Sequence, residues 1–234
     1  MLKINIKNIL AVILILLINS GYAQTSKTDH SDTQGWYGAS ATIDLPKKWQ
    51  VKTEYQSRFI NNLQTYNGSY FTLGASKKLN KHFELMGDFR LALVNKGTYR
   101  RFSFGGELSN KYKKLQLAIR AQIQNQLQDF DDVTKDSQKS GYWRIRFGGK
   151  YSFTKKFEAY ASIEPIMKFA STTFLDNIRN TIGVKYKVVK NVKLDMFYIF
   201  RPDYAKATYN RTFHIVGFNV DYTFHKKKKK KKKK

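Results

Sequence analysis

The chain has 234 residues, 43 Lys or Arg against 17 Asp or Glu for a formal charge of +26, 41% hydrophobic and 15% aromatic residues, and no cysteine. The lack of cysteine excludes a disulfide scaffold, a Cys-ligated zinc or iron–sulfur site, a thiol nucleophile and a lipid-modified N-terminal cysteine. Nine positive charges form the run Lys226–Lys234 and two more, Lys3 and Lys7, lie in the opening segment, which leaves about +15 for the body, too little to imply a specific nucleic-acid partner.

Residues 1–23 read as a signal peptide. Lys3 and Lys7 give a positive start, Ile9 to Ile18 is an unbroken apolar run, and Asn19-Ser20-Gly21-Tyr22-Ala23 closes it. A helix that crosses a bilayer needs roughly 20 apolar residues, and this run has about half that. The small residues Gly21 and Ala23 suit signal peptidase and predict cleavage near Ala23, so the chain is expected to be exported. An uncleaved N-terminal anchor is the alternative. Residues 24–34 are polar and without pattern, a predicted flexible lead-in.

From Gly35 to Phe224 the texture changes to segments of about ten to thirteen residues in which apolar and polar side chains alternate. A period of two puts the two sets on opposite faces of a strand. Leu115, Leu117, Ile119, Ala121 and Ile123 thus oppose Gln116, Arg120, Gln122 and Gln124, and Trp143, Ile145, Phe147 and Tyr151 oppose Arg144, Arg146 and Lys150. Strands of soluble sandwiches run about 5–6 residues, whereas membrane-crossing strands need roughly 9–11. Segments this long predict an all-β transmembrane antiparallel up-and-down barrel over 35–224, followed by a disordered poly-Lys tail at 225–234. A soluble periplasmic barrel, with its apolar side chains inside around an apolar ligand, has the same alternation and is the rival fold.

Turns of one kind recur once per strand pair: Leu45-Pro46-Lys47-Lys48-Trp49, Leu79-Asn80-Lys81-His82-Phe83, Asn110-Lys111-Tyr112-Lys113-Lys114, Phe153-Thr154-Lys155-Lys156-Phe157 and Val189-Lys190-Asn191-Val192. Longer connections lie between them, around 61–66, 95–97, 128–140, 170–173 and 202–210. Short turns at one end and longer loops at the other are how outer-membrane barrels are built. Eleven strands can be counted, at 35–45, 49–60, 68–78, 82–94, 98–109, 115–127, 141–153, 157–168, 175–188, 191–201 and 211–224. Bacterial single-chain barrels have even numbers, so ten or twelve is the expectation, with twelve favoured.

The last strand, Gly217-Phe218-Asn219-Val220-Asp221-Tyr222-Thr223-Phe224, places alternating apolar and aromatic residues on one face and closes on Phe224. It resembles the terminal strand by which outer-membrane barrels are recognised for assembly, which implies the barrel-assembly machinery as a partner through Gly217, Val220, Tyr222 and Phe224, beside the outer-membrane lipids. Gly35-Trp36-Tyr37-Gly38, the Lys47-Lys48-Trp49 turn, the Leu-Asn-Lys-His-Phe type of turn and Ile178-Arg179-Asn180-Thr181-Ile182-Gly183 extend the likeness over nearly the whole mature chain. Taken together, the chain resembles a family of Gram-negative outer-membrane barrels of unknown function. That resemblance implies a fold and a location, and carries no catalytic residues.

Chemistry is thinly signalled. Of His30, His82, His214 and His225, only His214 sits on a strand, and it could serve a serine such as Ser103 or Ser162 only in a favourable register. Asp129, Asp131, Asp132 and Asp136 crowd one loop as weak candidates for calcium. No cofactor is implied and no enzyme is expected, with a lipid-modifying hydrolase the least supported alternative. Charged residues on the polar faces say more. Arg90, Arg120, Arg144, Arg146, Arg179 and Lys185 are predicted to face a lumen together with Glu84, Asp88, Glu158 and Glu164, and Glu54, Arg58, Arg101, Glu107, Asp195 and Asp221 join them. Such a set either seals a narrow barrel with ion pairs or lines a small anion-favouring pore. A binding role for loops 128–140 and 202–210 is the other reading. Trp36, Trp49 and Trp143, with Tyr70, Tyr99, Tyr151, Tyr186 and Tyr222, are expected in interface girdles.

Overall fold

A computed structural model describes residues 29–95, 97–132, 134–169, 174–204 and 210–224. The signal segment, the cleavage point at Ala23, residues 24–28, His225 and the lysine run lie outside them. Eleven strands follow one another: β1 (Asp29–Asp44), β2 (Trp49–Ile60), β3 (Thr65–Lys78), β4 (Phe83–Val94), β5 (Gly97–Tyr112), β6 (Leu115–Phe130), β7 (Gln138–Ser152), β8 (Phe157–Lys168), β9 (Leu175–Val189), β10 (Val192–Asp203) and β11 (Asn210–Phe224). Each pairs antiparallel with the next, and β1 pairs with β11 to close the barrel.

Eleven strands correct the expectation of an even number. In an up-and-down sheet with an odd count the first and last strands run the same way, so the seam must be parallel. It is, from Asp29 opposite Asn210 to Ile43 opposite Phe224. The strand segments were therefore read correctly, and only the parity assumption fails. Residues 29–34, expected within the flexible lead-in, are strand for the same reason. They pair with β11 on one side. On the other they meet the loop at 61–64, where Leu63 N–H donates to the Thr33 carbonyl (3.1 Å) and Asn62 N–H to Asp32 Oδ1 (2.9 Å).

The barrel is inside-out. Leu73, Phe102, Phe104 and Ile182 point outward and are more than half exposed, whereas Gln34, Gln56, Ser103, Gln122, Glu164, Asn177, Asp195 and Asn219 point inward and are buried. Soluble barrels do the reverse, so the arrangement with an apolar interior does not hold here. A continuous apolar exterior of this extent would be an aggregation surface in water. Eleven strands ~4.8 Å apart, tilted about 40°, enclose a cylinder about 22 Å across between backbones, which long side chains from opposite walls can largely fill.

Side-chain oxygens build the short turns. Asn80 Oδ1 accepts from the N–H groups of His82 (2.7 Å) and Phe83 (2.8 Å), and Thr154 Oγ1 does the same for Lys156 (3.1 Å) and Phe157 (3.0 Å). The recurrence of Asn or Thr two and three residues before these donors is thus the turn mechanism itself. Glycine has a special use on the inner wall. A Cβ on Gly217 would fall 2.0–2.6 Å from the Phe197 ring, so that ring lies flat on its cross-strand neighbour only because the side chain is missing.

Two outcomes are expected. Ala39→Cys with Val220→Cys, opposite each other across the parallel seam, should cross-link under oxidation in this otherwise cysteine-free chain, and the closed form should migrate faster on non-reducing gels. Gly217→Ala should lower stability in denaturant titrations by about 1–3 kcal/mol, the usual cost of overpacking.

Candidate functional site

The inward faces of the strands build the site. Period-two alternation puts a polar side chain on the lumen at every second residue, and the register then sets which charges meet. Toward the short-turn end, positive and negative groups neutralise one another. Lys185 Nζ lies 2.9 Å from Asp195 and 3.3 Å from Asp221, and Asp195 also accepts from the Tyr160 hydroxyl (2.8 Å) two strands away. Asp221 further accepts from Ser40 Oγ across the parallel seam (2.7 Å). Lys193 (3.4 Å) and Lys150 (3.8 Å) flank Glu158. Midway up, Arg120 donates to Glu107 through Nε (2.9 Å) and Nη2 (2.7 Å), with Arg146 3.7 Å from the same oxygen. Glu84 stands opposite Glu107 in the ladder, with no cation within 4 Å among the described residues.

Toward the long-loop end the balance tips to arginine. Arg144 Nη2 donates to both oxygens of buried Glu164 (2.9 and 3.0 Å) and Nη1 to Gln124 Oε1 (3.0 Å). Arg101 donates to Asp88 (3.0 Å), and Arg90 donates to Thr72 (2.8 Å) and lies 3.7 Å from Glu54. Arginines also face each other directly in the ladder, Arg90 with Arg101 and Arg120 with Arg146. Such pairs repel unless carboxylates are interleaved, as Glu54, Asp88 and Glu107 are here.

Arg58, Arg179 and Arg201 have no carboxylate within 4 Å among the described residues. Aromatic rings hold two of them. The Arg58 guanidinium is stacked between Trp36 (3.7 Å to the centroid) and Tyr70 (3.8 Å), and Arg201 lies over Phe213 (4.1 Å). Trp36, Ile199, Phe213 and Ile215 form the apolar cluster beneath, with Phe197 packed against it. Trp36, Tyr70 and Tyr99 therefore correct the girdle expectation for these three rings. Trp36 is in phase with inward Gln34 and Ser40, Tyr70 with Thr72, and Tyr99 with Arg101 and Ser103, so all three face the lumen; Trp36 is only 6% exposed. Strand phase was the signal that could have found them. Trp49, Trp143, Tyr151, Tyr186 and Tyr222 are exposed on the outside.

His214 belongs to the outer face, its Nδ1 2.6 Å from the Tyr198 hydroxyl and its ring beside Phe200. Ser103 and Ser162 lie on the inward phase of their strands, so the wall itself separates them from this histidine. The acidic loop does not gather its carboxylates. Asp129 pairs with Arg100 and accepts from Ser137 (2.8 Å), while Asp132 accepts from the Thr134 hydroxyl (2.6 Å) and N–H (3.1 Å) and pairs with Lys135 (2.9 Å). Asp131 and Asp136 are exposed beside them, and no group of three metal-binding side chains occurs among the described residues. The Thr134 hydroxyl, then Lys135, hold the Asp132 carboxyl below the usual carboxylate range.

Fold and lumen together define a closed inside-out barrel with a charge-filled interior. Residues 33–212 match the family model "Protein of unknown function (DUF2490)"; the chain belongs to that family. No curated protein matches it in sequence. Among solved structures it is similar to Pseudomonas aeruginosa OccK8 (OprE), at 8% identity and a TM-score of 0.37, over 71% of this chain and 57% of that one. A likeness that distant says nothing about this lumen.

Arg144 and Glu164 supply a stability test. Arg144→Met should cost about 3–5 kcal/mol in denaturant titrations, because it leaves a buried carboxylate without its partner. Arg144→Met with Glu164→Gln should recover much of that loss, and additivity of the two single changes would show that the pair is not coupled. In the loop, a depressed folded-state pKa means that Asp132 stabilises the turn above the ordinary carboxylate value and ceases to do so as pH falls through the folded one. Proteolytic resistance of residues 131–137 should thus persist at pH 5 and be weakened at neutral pH by Asp132→Asn.

Proposed function

We propose that the mature chain is an outer-membrane barrel, exported by a signal peptide cleaved near Ala23, whose lumen passes small polar solutes and favours anions. The observation that carries this reading is the division of faces: an exposed apolar exterior around an interior of buried charge. Hydrocarbon tolerates only closed backbone hydrogen bonding and an apolar surface, and the barrel meets both conditions. The lipids of that membrane then cover the outer face. Gly217, Val220, Tyr222 and Phe224 carry the assembly signal, with Gly217 inward under Phe197 and the other three on the lipid phase. No catalytic role is assigned, since His214 and the candidate serines face opposite sides of the wall.

Anion preference follows from the arginine excess at the long-loop end, because fixed positive charge in a confined polar passage raises the local concentration of anions. Two measurements test the proposal. Detergent extracts of the outer-membrane fraction should contain a form that migrates faster unheated than boiled. In planar bilayers the purified barrel should give discrete conductance steps with anion preference, reduced by Arg146→Gln. A protein recovered without detergent in the periplasm would overturn the location, and a bilayer without steps would overturn the channel reading.

A further inference from the structure

We infer that Arg58, Arg179 and Arg201 form a binding site for a carboxylate- or phosphate-bearing small solute at the long-loop end of the lumen. This deepens the channel reading, because it assigns a specific anion site where that reading gives only a preference.

The two ends of the lumen treat cations differently. At the short-turn end Lys185 lies within 4 Å of Asp195 and Asp221, and Lys150 and Lys193 lie within 4 Å of Glu158. At the other end, Arg58 and Arg201 are held by ring faces. A ring fixes the plane of a guanidinium and attracts it, yet leaves its full positive charge unneutralised. Arg58 is the most completely posed. Trp36 and Tyr70 cover its two faces, and its Nε donates to Gln56 Oε1 at 2.7 Å. With both faces and the Nε edge engaged, the terminal nitrogens are the part left to turn toward a ligand. A planar fork in a fixed pose is what bidentate recognition of a carboxylate or phosphate requires.

Arg179 and Arg201 complete the cluster. In the β9–β10 ladder Asn180 opposes Phe200 and Asn177 opposes Asp203, which brings Arg179 and Arg201 to the same level on neighbouring strands. The guanidinium of Arg179 interacts electrostatically with those of Arg201, Arg58 and Arg144, and that of Arg58 with those of Arg201 and Arg101. Glu164 attracts Arg179, and Asp176 and Asp203 attract Arg201, from beyond ion-pair distance. Unused donors occur here: among the described residues the Nε groups of Arg179 and Arg201 and Trp36 Nε1 are buried with no hydrogen-bond partner, as are the Nε groups of Arg101 and Arg144. Buried donors without acceptors are costly, so such donors beside mutually repelling cations favour an anion that satisfies both.

Trp36 touches Arg58 and can report occupancy. In a Trp49→Phe, Trp143→Phe background, Trp36 is the one remaining tryptophan, and each variant's fold is checked by heat-modifiable migration. Inorganic phosphate and succinate, titrated into the detergent-solubilised barrel at constant ionic strength, should each change Trp36 fluorescence saturably, the tighter of the two identifying the preferred oxyanion; chloride should not. Arg58→Lys keeps the charge and loses the fork, and should weaken the response at least about tenfold, as should Arg179→Gln and Arg201→Gln. Lys155→Gln, in a short turn at the opposite end, should leave it unchanged. A response equal for chloride means screening only and overturns the site, as does a response that all three arginine variants preserve. Conductance separates the two claims: saturable binding without steps removes the channel and keeps the site, whereas steps without any Trp36 response do the opposite.

Discussion

Closure of the sheet is the constraint on which everything else depends. A strand at an open edge leaves a row of N–H and C=O groups without partners, which water can solvate and hydrocarbon cannot. With eleven strands, the only closure available to an up-and-down sheet is a parallel one. The slanted bonds of a parallel pair are slightly weaker per residue than antiparallel ones, and the barrel surrounds this seam with extra interactions. β1 and β11 stay in register for fifteen paired positions. The apolar cluster of Trp36, Ile199, Phe213 and Ile215 joins β1, β10 and β11 from inside. Lower down, Ser40 on β1 and Lys185 on β9 both bond to Asp221 on β11, which Asn219 also contacts.

The packing that secures the seam also positions the arginines. Trp36 is both a member of the seam cluster and one of the two plates that hold Arg58, and Phe213 is both a cluster residue and the surface on which Arg201 rests. The chemistry of the lumen is thus attached to the mechanical weak point of the barrel. Where the wall is an ordinary antiparallel sheet, between β5 and β9, the interior is organised instead by carboxylate–arginine pairs such as Glu107 with Arg120 and Glu164 with Arg144. Two kinds of support therefore divide the lumen, ring faces at one side of the long-loop end and ion pairs elsewhere. Only the second neutralises what it holds.

Much of the architecture was legible in the chain. Period two is a local property, so Trp143, Ile145 and Phe147 against Arg144 and Arg146 announced a two-faced strand without help from any neighbour. Turn residues are local as well, since Asn80 and Thr154 bond to backbone only two and three positions on. The inward phase of Arg120, Glu164 and Asp195 followed from the same alternation. The site was less legible. Trp36 and Tyr70 look like girdle aromatics by composition, and only their phase relative to Gln34 and Thr72 places them in the lumen. The charges could be named, yet not matched, because pairing depends on register between strands distant in sequence.

The sequence by itself therefore determined the strand segments, their two faces and their turns, all of which arise from interactions within a few residues, whereas the count of strands that close the barrel was not among them. Tertiary structure alone decided three things. It chose the parallel seam, since a strand's partner across closure lies about 180 residues away. It turned the apolar faces outward, a choice that alternation leaves undetermined because either sense satisfies it. And it sorted the arginines into those matched by carboxylates and those held on rings, since Coulomb attraction and ring stacking act over a few ångströms of space and are indifferent to distance along the chain.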